Sequence, residues 1–350
     1  MHYISTSEKM EGNRVLDILY TANNSFAAKV AAGICSVFEN NRHVQNLTIY
    51  LLTDYMSAEN LYKFRKMEKQ YGRTIQVIMF GDIREQISFD FDTLGWNQIV
   101  LSRLLWDRFL PQKVERILYL DGDTIVNGSL EKLWEKNMGK CVLGACIEPT
   151  VDYKRRVNLG LKHMPYINSG VLLIDRKRWQ EANAERRILD FYKENDGRLF
   201  APDQDAINGA LKGEIFFLEP KYNFYNIYWF YPYHFLKKLM HDTPYFSEDV
   251  YEKSLENPVI LHYLGEERPW RKGNHHKYRD VFKKYSQKTP WKGEPEEEGW
   301  EIYYFFWGIF NRLTRYFPSL RYALINRLIP LFMKWRSRRL KKQGQIQKKG

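Results

Sequence analysis

Alternating strand and helix patterns near the start of the chain restrict its fold more than any other feature. Leu16–Thr21, Leu47–Thr53 and Thr74–Phe80 are short apolar runs typical of strands buried within a sheet. Helical patterns over Phe26–Glu39 and Ser57–Tyr71 separate these runs, and polar capping residues open both helices. This order predicts an α/β fold with a doubly wound, mostly parallel sheet and right-handed crossovers. No G-x-G-x-x-G follows the first strand, so a dinucleotide cofactor is not expected.

A further apolar run, Ile117–Leu120, ends in two carboxylates, Asp121 and Asp123, on either side of Gly122. Open α/β sheets bind ligands in the crevice beyond the carboxyl ends of their strands. Two hard oxygen donors at such a place suit Mg²⁺ or Mn²⁺ bridging to phosphate. The alternative interpretation is a simple acidic turn, because short motifs of this kind also match by chance.

Composition limits the class of protein. Of the 350 residues, 44% are hydrophobic, which predicts a large folded core, and 16% are aromatic, which makes sugar rings and bases plausible ligands. The three cysteines (Cys35, Cys141 and Cys146) form no disulfide framework and no C-x-x-C pair, so a reducing compartment is expected. The N-terminus has no apolar stretch, so neither a signal peptide nor an N-terminal anchor is expected.

Positive charge is concentrated at the C-terminal end. Residues 300–350 hold twelve Lys and Arg against Glu301 alone, a net charge of +11, whereas the whole chain carries +12. A near-neutral body with a basic tail argues against a nucleic-acid groove and favours contact between the tail and an anionic surface. We therefore predict three regions, with a catalytic domain over residues 14–288, a polar linker over 289–299 and a basic, aromatic-rich tail over 300–350.

The tail has the composition of a membrane-surface segment. Trp300–Phe317 and Leu320–Trp335 interleave apolar and basic residues, and a polybasic cluster follows (Arg336, Arg338, Arg339, Lys341 and Lys342). The longest uncharged run, Ile302–Asn311, has ten residues, whereas a transmembrane helix needs about 20. The prediction is a cytoplasmic protein held on the inner face of the plasma membrane. Alternatively, the aromatic rings pack on the catalytic domain, above all those of Trp300–Phe310, which is apolar nearly all round.

His262 ends another predicted strand, Pro258–His262, and completes an O,O,N donor set with the two aspartates. A lone histidine after a strand is more often structural, but these three residue types together fit an Mn²⁺ site that leaves positions for phosphate oxygens. Close behind it, Gly265 would let backbone amides approach a phosphate. Arg268 would neutralise a leaving diphosphate.

Seven short motifs occur in one order between Leu16 and Trp270: L-Y-T-A-N-N-S, S-R-L, L-Y-L-D-G-D, Y-I-N-S-G-V-L-L-I-D, P-D-Q-D-A-I-N-G, K-Y-N and H-Y-L-G-E-E-R-P-W. Together they resemble glycosyltransferase family 8, the retaining sugar-nucleotide transferases that include bacterial lipooligosaccharide galactosyltransferases and glycogenin. The resemblance implies a GT-A fold, with donor and acceptor sites in a single domain. It also implies a UDP-sugar donor, Mn²⁺ or Mg²⁺, and a saccharide or glycolipid acceptor.

Roles for individual residues also follow from the resemblance. The uracil and ribose would contact Thr21, Ala22, Asn23 and Ser25. Asp121 would touch ribose and metal, while Asp123 and His262 would be metal ligands. Residues around the donor sugar and phosphates would be Arg103, Asn168, Ser169, Asp203 and Gln204. The diphosphate would be held by Gly265 and Arg268.

The chain departs from the family pattern at two of these positions. Asn23 stands where the family usually has an acid, although an amide oxygen can still accept a hydrogen bond from the base. Arg268 stands where a lysine is usual, so that the charge is kept but offered as a bidentate fork.

Two routes to retention of the anomeric configuration remain open. A carboxylate could form a covalent sugar intermediate, for which Asp205 is the candidate if its helix presents it inward, Gln204 being a poor nucleophile. Otherwise the acceptor hydroxyl attacks from the face that the diphosphate leaves, which we favour. In either route Arg268 and the metal would stabilise the leaving group.

Two other functions compete with glycosyl transfer. A phosphatase of the haloacid dehalogenase type would need D-x-D-x-T, but Ile125 occupies the threonine position. A non-catalytic, peripheral membrane sugar-binding protein would not need both aspartates and the histidine.

Overall fold

A seven-stranded sheet forms the centre of the protein. The computed structural model describes residues 15–329 and residue 331. Its strands are β1 (Val15–Thr21), β2 (Asn46–Thr53), β3 (Thr74–Met79), β4 (Arg116–Asp121), β5 (Thr124–Val126), β6 (Leu143–Ile147), β7 (Ile167–Asp175), β8 (Ile215–Leu218) and β9 (Ile260–His262). The sheet has the order β3-β2-β1-β4-β7-β6-β8, and β5 pairs with β9 in a separate antiparallel ribbon. The strands are parallel except β7, which runs against both neighbours. The predicted α/β class and mostly parallel sheet are confirmed.

Helices connect and cover these strands. The α-helices are α1 (Ala27–Asn40), α2 (Ala58–Tyr71), α3 (Ile83–Gln86), α4 (Trp106–Phe109), α5 (Glu131–Trp134), α6 (Tyr153–Asn158), α7 (Arg176–Glu181), α8 (Ala184–Glu194), α9 (Pro202–Ala210), α10 (Ile227–Phe230), α11 (Tyr233–Leu239), α12 (Glu248–Glu256), α13 (Arg279–Ser286) and α14 (Glu301–Thr314). Three 3₁₀ helices span Asn24–Phe26, Gln98–Leu105 and Pro220–Tyr222. A last helical segment covers residues 318–329.

The central strands are apolar on both faces because each face has its own core. Ile18 and Tyr20 of β1 enter one hydrophobic cluster, and Leu19, which lies between them, enters the other. Alternate side chains of a strand point to opposite faces, so a strand covered on both sides has a continuous apolar run. This burial fixes the register of β1 between β2 and β4.

Some predicted element bounds are wrong. The polar pattern over Arg176–Asn195 predicts one helix, but the structure has two, α7 and α8, because Asn183 between them has a φ of +49°, a conformation that a right-handed helix cannot include. The helical segment predicted over Asn97–Phe109 is mainly a 3₁₀ helix, with α4 as its last turn. The sequence pattern also predicts a strand over Cys141–Ile147, but β6 begins at Leu143, so Cys141 precedes it.

The segment over residues 289–299 packs closely on the rest of the structure. The Trp291 indole is buried and donates to Asn60 Oδ1 at 3.0 Å. Lys29 of α1 pairs with Glu294 at 3.1 Å. Within residues 15–329, no helix is long and apolar enough to cross a bilayer.

Candidate active site

The three metal-ligand candidates meet at the carboxyl edge of the sheet. Asp121 ends β4, and Thr124 of β5 pairs with His262 of β9, so the ribbon brings the histidine beside the D-G-D turn. One ligand atom from each of Asp121, Asp123 and His262 lies within 4.8 Å of the other two. Both aspartates are partly buried and the histidine is buried. The spacing and the O,O,N set fit a divalent cation with open coordination positions.

The His262 ring is oriented with one nitrogen toward these carboxylates. Its Nδ1 lies 2.8 Å from Asn223 Oδ1. Since the Asn223 amide nitrogen donates to Asn168 Oδ1 at 2.8 Å, the Asn223 oxygen is left to accept, and Nδ1 carries the proton. The buried Nε2 lies 3.2 Å from Asp123 Oδ1 and makes no hydrogen bond of acceptable geometry within the described part of the chain. A deprotonated Nε2 facing two carboxylates is the form that binds a metal.

Gly170 makes this placement possible. A Cβ atom at this position would lie 2.3 Å from His262 Cε1 and 2.8 Å from Nδ1. Any side chain there would displace the ring, so the glycine of the N-S-G motif is explained by close approach of the histidine.

Arg103 links several predicted donor-site residues on the other side of Asp121. Its guanidinium lies 2.8 Å from Asp121 Oδ1 and 3.2 Å from Asp203 Oδ2, and it donates to the carbonyl oxygen of Ser169 at 3.1 Å. Burial opposes charge on Arg103, but Asp121 and Asp203 outweigh it and raise its pKa. For Asp203, burial dominates and raises the pKa. The arrangement holds a permanent positive charge beside the metal-ligand candidates.

Gln204 is held by protein groups at both ends of its amide. Its nitrogen donates to Glu148 Oε2 and to the Tyr166 hydroxyl, both at 3.0 Å, and its oxygen accepts from the backbone nitrogen of Ser169 at 2.9 Å. The same Glu148 oxygen accepts from the Asn168 amide at 2.9 Å. These contacts fix the position of Gln204 at the start of α9.

The neighbouring Asp205 has a different environment. Its Oδ1 accepts hydrogen bonds from Arg155 at 2.6 Å and from Tyr166 at 2.6 Å, and its Oδ2 accepts from the backbone nitrogen of Ala201 at 3.1 Å. The carboxylate is almost fully buried. Both oxygens are therefore engaged in holding the start of α9 against the Tyr166 ring.

Arg268 reaches the metal-ligand candidates from the loop after β9 and forms an ion pair with Asp123. Burial would raise the pKa of Asp123, but the guanidinium of Arg268 outweighs this effect, and the pKa of Asp123 is lowered. Gly265, in the same loop, has a φ of +80°, which favours glycine. No atom of the described residues lies within 4 Å of a Cβ built on it.

The turn predicted to bind the base lies next to these groups, because Thr21 at the end of β1 is in register with Asp121. The Thr21 hydroxyl is 3.0 Å from the Tyr119 hydroxyl, which donates to Asp121 Oδ1 at 2.6 Å. Ala22 follows and donates its backbone N–H to Leu52 at the end of β2. Asn23 Oδ1 accepts from the Ser25 hydroxyl at 3.0 Å.

Sequence patterns assign no role to two residues of the site. Glu148 follows β6 as an isolated acid without any motif around it. Asn223 belongs to the K-Y-N motif, but the motif alone gives it no role. Only the hydrogen bonds made across the sheet edge show the importance of both residues.

Comparison with solved structures identifies the fold. The crystal structure of galactosyltransferase LgtC in complex with donor and acceptor sugar analogues superposes with a TM-score of 0.66 at 21% identity, covering 79% of this chain and 96% of that one. The fold is GT-A, as predicted.

Sequence comparison then gives the family. The profile of Glycosyl transferase family 8 matches residues 17–273, and the chain belongs to this family. Lipopolysaccharide 1,2-glucosyltransferase of Escherichia coli (strain K12) is 26% identical over 305 residues, 85% of this chain and 84% of the relative. General stress protein A of Bacillus subtilis (strain 168) is 23% identical over 290 residues, 81% and 96% of the two chains. The protein is a glycosyltransferase.

Proposed function

We propose that this enzyme transfers a hexose, galactose or glucose, from a UDP-sugar to a saccharide or lipid-linked acceptor with retention of configuration. The observation that supports this most directly is the meeting of Asp121, Asp123 and His262 at the carboxyl edge of the sheet. Relatives named as lipopolysaccharide glucosyltransferase and galactosyltransferase support the choice of sugars and acceptor. Family membership favours transfer over the phosphatase and the non-catalytic alternative.

In this proposal Asp121, Asp123 and His262 would hold Mn²⁺ or Mg²⁺. When bound, such an ion neutralises charge on the leaving diphosphate. Arg268 forms an ion pair with Asp123 and would turn from this aspartate to the diphosphate when the donor binds. Its guanidinium keeps its charge at every relevant pH and can bond two phosphate oxygens at once.

The donor sugar would lie between the metal-ligand candidates and the start of α9. Arg103 spans from Asp121 to Asp203 and would hold the sugar and phosphates from one side. Asn168, Ser169 and Gln204 would surround the sugar from the other side. The base and ribose would occupy the turn of Thr21, Ala22, Asn23 and Ser25.

Attack by the acceptor from the face that the diphosphate leaves is the favoured route. Both Asp205 oxygens are engaged by Arg155, Tyr166 and the Ala201 backbone, which argues against their use as a nucleophile. Gln204 is an amide and a poor nucleophile. Its fixed position instead suits a group that supports the developing charge on the sugar.

We also propose that the tail holds the enzyme on an anionic membrane, on the cytoplasmic face. One face of α14 packs inward through Tyr304, whereas apolar residues line the opposite face and continue beyond it: Ile302, Phe305, Phe306, Ile309, Leu313, Tyr316, Phe317 and Leu320 are all exposed. Arg312 and Arg315 are exposed beside them. The predicted polybasic cluster lies outside the described residues.

Incubation of the purified full chain with Mn²⁺ and a panel of nucleotide sugars tests this function. Slow release of free sugar from a UDP-hexose, dependent on the metal, is the expected result. Release of phosphate from simple phosphate esters would favour the phosphatase alternative. A chain that binds UDP-sugars and never hydrolyses or transfers them would be a binding protein.

A further inference from the structure

The loop over residues 263–271, which follows β9, has an inner and an outer side. On the inner side Arg268 meets Asp123. The outer side carries Glu266 and Glu267, which have other partners: Glu266 pairs with Arg271, and Glu267 accepts a hydrogen bond from Asn226. Contacts that hold the outer side of the loop in place therefore restrict the positions that the Arg268 side chain can adopt.

The first tail helix, α14, binds the outer side at Glu266. The Tyr304 hydroxyl donates to the Glu266 carbonyl oxygen at 2.7 Å. Arg271, at the end of the loop, donates to the same carbonyl at 3.0 Å and lies 3.5 Å from the centre of the Trp300 ring. Stacking of a guanidinium on an indole at this distance is a favourable contact.

The second tail helix, residues 318–329, contributes a buried cation. Arg321 is 1% exposed although it belongs to the most basic part of the chain. Its guanidinium lies 3.8 Å from the centre of the Phe230 ring, within range of the Trp307 and Phe310 rings, and donates to Thr314 Oγ1 at 3.0 Å. A buried charge is costly unless other groups compensate it.

Contacts through α10 connect Arg321 with Glu267 of the loop. The Glu267 carboxylate is buried, which raises its pKa, and it accepts a hydrogen bond from the Asn226 amide at 2.7 Å. Asn226 opens α10, and Phe230 at the end of the same helix carries the ring on which Arg321 stacks. Burial lowers the pKa of Arg321, and attraction to Tyr231 and Glu267 opposes this effect. A tail residue is thus connected through α10 to the residue that precedes Arg268 in the chain.

We infer that the tail helices position the diphosphate-binding loop, and that Arg321 is a positioning residue for donor binding. This inference rests on the proposed function for the role of Arg268. The tail thereby has a role besides membrane contact, because Tyr304 bonds to the outer side of the loop and Arg321 holds its own helix against α10. With the outer side held, the guanidinium of Arg268 stays close enough to turn from Asp123 to the phosphates when the donor binds.

Arg321→Met in the full chain provides the test, because this substitution keeps the packing volume and removes the charge. UDP with Mn²⁺ is the probe, and hydrogen–deuterium exchange of residues 262–271 is followed in parallel. We expect the Kd of UDP to rise about tenfold, as for the loss of one buried charged contact, and the loop to exchange faster. At saturating UDP-sugar, hydrolysis should stay within about twofold of wild type, since the chemical groups remain.

Arg327→Met is the matched control, because Arg327 lies on the same helix and is exposed; it should alter neither measurement. Arg321→Lys should restore part of the UDP affinity. If Arg321→Met does not fold, Tyr304→Phe removes only the hydroxyl that reaches Glu266 and should give the same change to a smaller degree.

The outcomes separate the inference from the proposed function. Unchanged exchange of residues 262–271 in both variants overturns the inference, whatever the wild type binds. Faster exchange of the loop supports it. A wild-type protein that does not bind UDP with Mn²⁺ overturns the proposed function and, with it, the assignment of donor positioning to Arg321.

Discussion

Glu148 Oε2 lies 3.0 Å from the side-chain nitrogen of Gln204 and accepts a hydrogen bond from it. The same oxygen holds Asn168 at 2.9 Å. Asn168 in turn contacts Asn223, the partner of His262, so one carboxylate supports both the donor-sugar side and the metal side of the site.

Glu148→Ala should therefore lower transfer by roughly ten- to a hundredfold, the range expected when a buried charged hydrogen-bond acceptor is lost. Glu148→Gln keeps an acceptor oxygen and should retain more activity. Initial rates of transfer to an added saccharide acceptor measure the difference. Equal rates for wild type and Glu148→Ala would show that Gln204 needs no such support.

Loss of a metal ligand should abolish metal-dependent turnover without unfolding the protein. Asp123→Asn replaces a charged ligand at almost constant volume, so melting temperature should change little while Mn²⁺ affinity falls by at least about tenfold. His262→Ala should lower Mn²⁺ affinity in the same way, and it should also lower the melting temperature because it removes a buried ring. Calorimetric titration with Mn²⁺ and hydrolysis of the UDP-sugar give the two readings. Near-wild-type turnover in either variant would falsify the metal site.

The product should keep the α configuration of the donor. Family membership and the engaged Asp205 carboxylate both favour same-face attack. NMR spectra of the purified product reveal the configuration through the anomeric coupling constant. A β linkage formed from an α-linked donor would contradict the proposed mechanism.

Two exposed residues of α14 should be needed for binding to membranes. The side chains of Phe305 and Leu313 are 66% and 69% exposed, on the face of α14 opposite Tyr304. The double variant Phe305→Ser/Leu313→Ser should lose cosedimentation with anionic liposomes at low salt and keep donor hydrolysis, since neither residue faces the loop of Arg268. Tyr62→Ser, at an equally prominent position on α2, serves as a control and should still sediment. Sedimentation of the double variant at the wild-type level would exclude this face as the membrane contact.

Stability should depend on pH through Asp17, an acid within β1. Burial raises the pKa of Asp17 from 3.8 to about 6, against the opposing effects of Lys113 and hydrogen bonds from Thr48 and Tyr50. The folded state therefore holds this proton more tightly than the unfolded chain does. The contribution of Asp17 to the free energy of unfolding is greatest below about pH 4 and falls as the pH rises to about 6.

Asp17→Asn removes this dependence and should be more stable than wild type at pH 7, by about 1–3 kcal/mol. Urea unfolding of both proteins at pH 4, 5, 6 and 7 measures the difference, which should grow with pH. A constant difference over this range would mean that the pKa of Asp17 is not raised in the folded state.

Most of the fold could be predicted from local patterns. The strands β1, β2 and β4 are continuous apolar runs because both faces are buried, and such runs are visible in the sequence. The break at Asn183 was not visible, since asparagine is also tolerated within helices and only the backbone shows its positive φ. Propensity sets only an average preference, which the tertiary context of a segment can override.

Site residues that belong to sequence motifs could be predicted, whereas the single residues that complete the site could not. The D-G-D turn and His262 could be paired because both follow predicted strands. Glu148 and Arg321 could not, since an isolated acid or one arginine among many basic residues has no distinguishing pattern. Their roles depend on contacts between segments that are distant in the chain.

The reversed direction of β7 has a consequence for how substrate preference can change. Because β6 ends and β7 begins at the same edge of the sheet, residues 148–166 leave and return beside the active site. Both ends of this segment are fixed by strand pairing, and in its middle Arg155 and Arg156 of α6 are held by other elements, whereas exposed positions such as Tyr153 and Val157 can vary. A library of replacements at the exposed positions within 152–164 would change the surface beside the active site while the donor machinery stays in place, much as antibody loops vary on a constant framework.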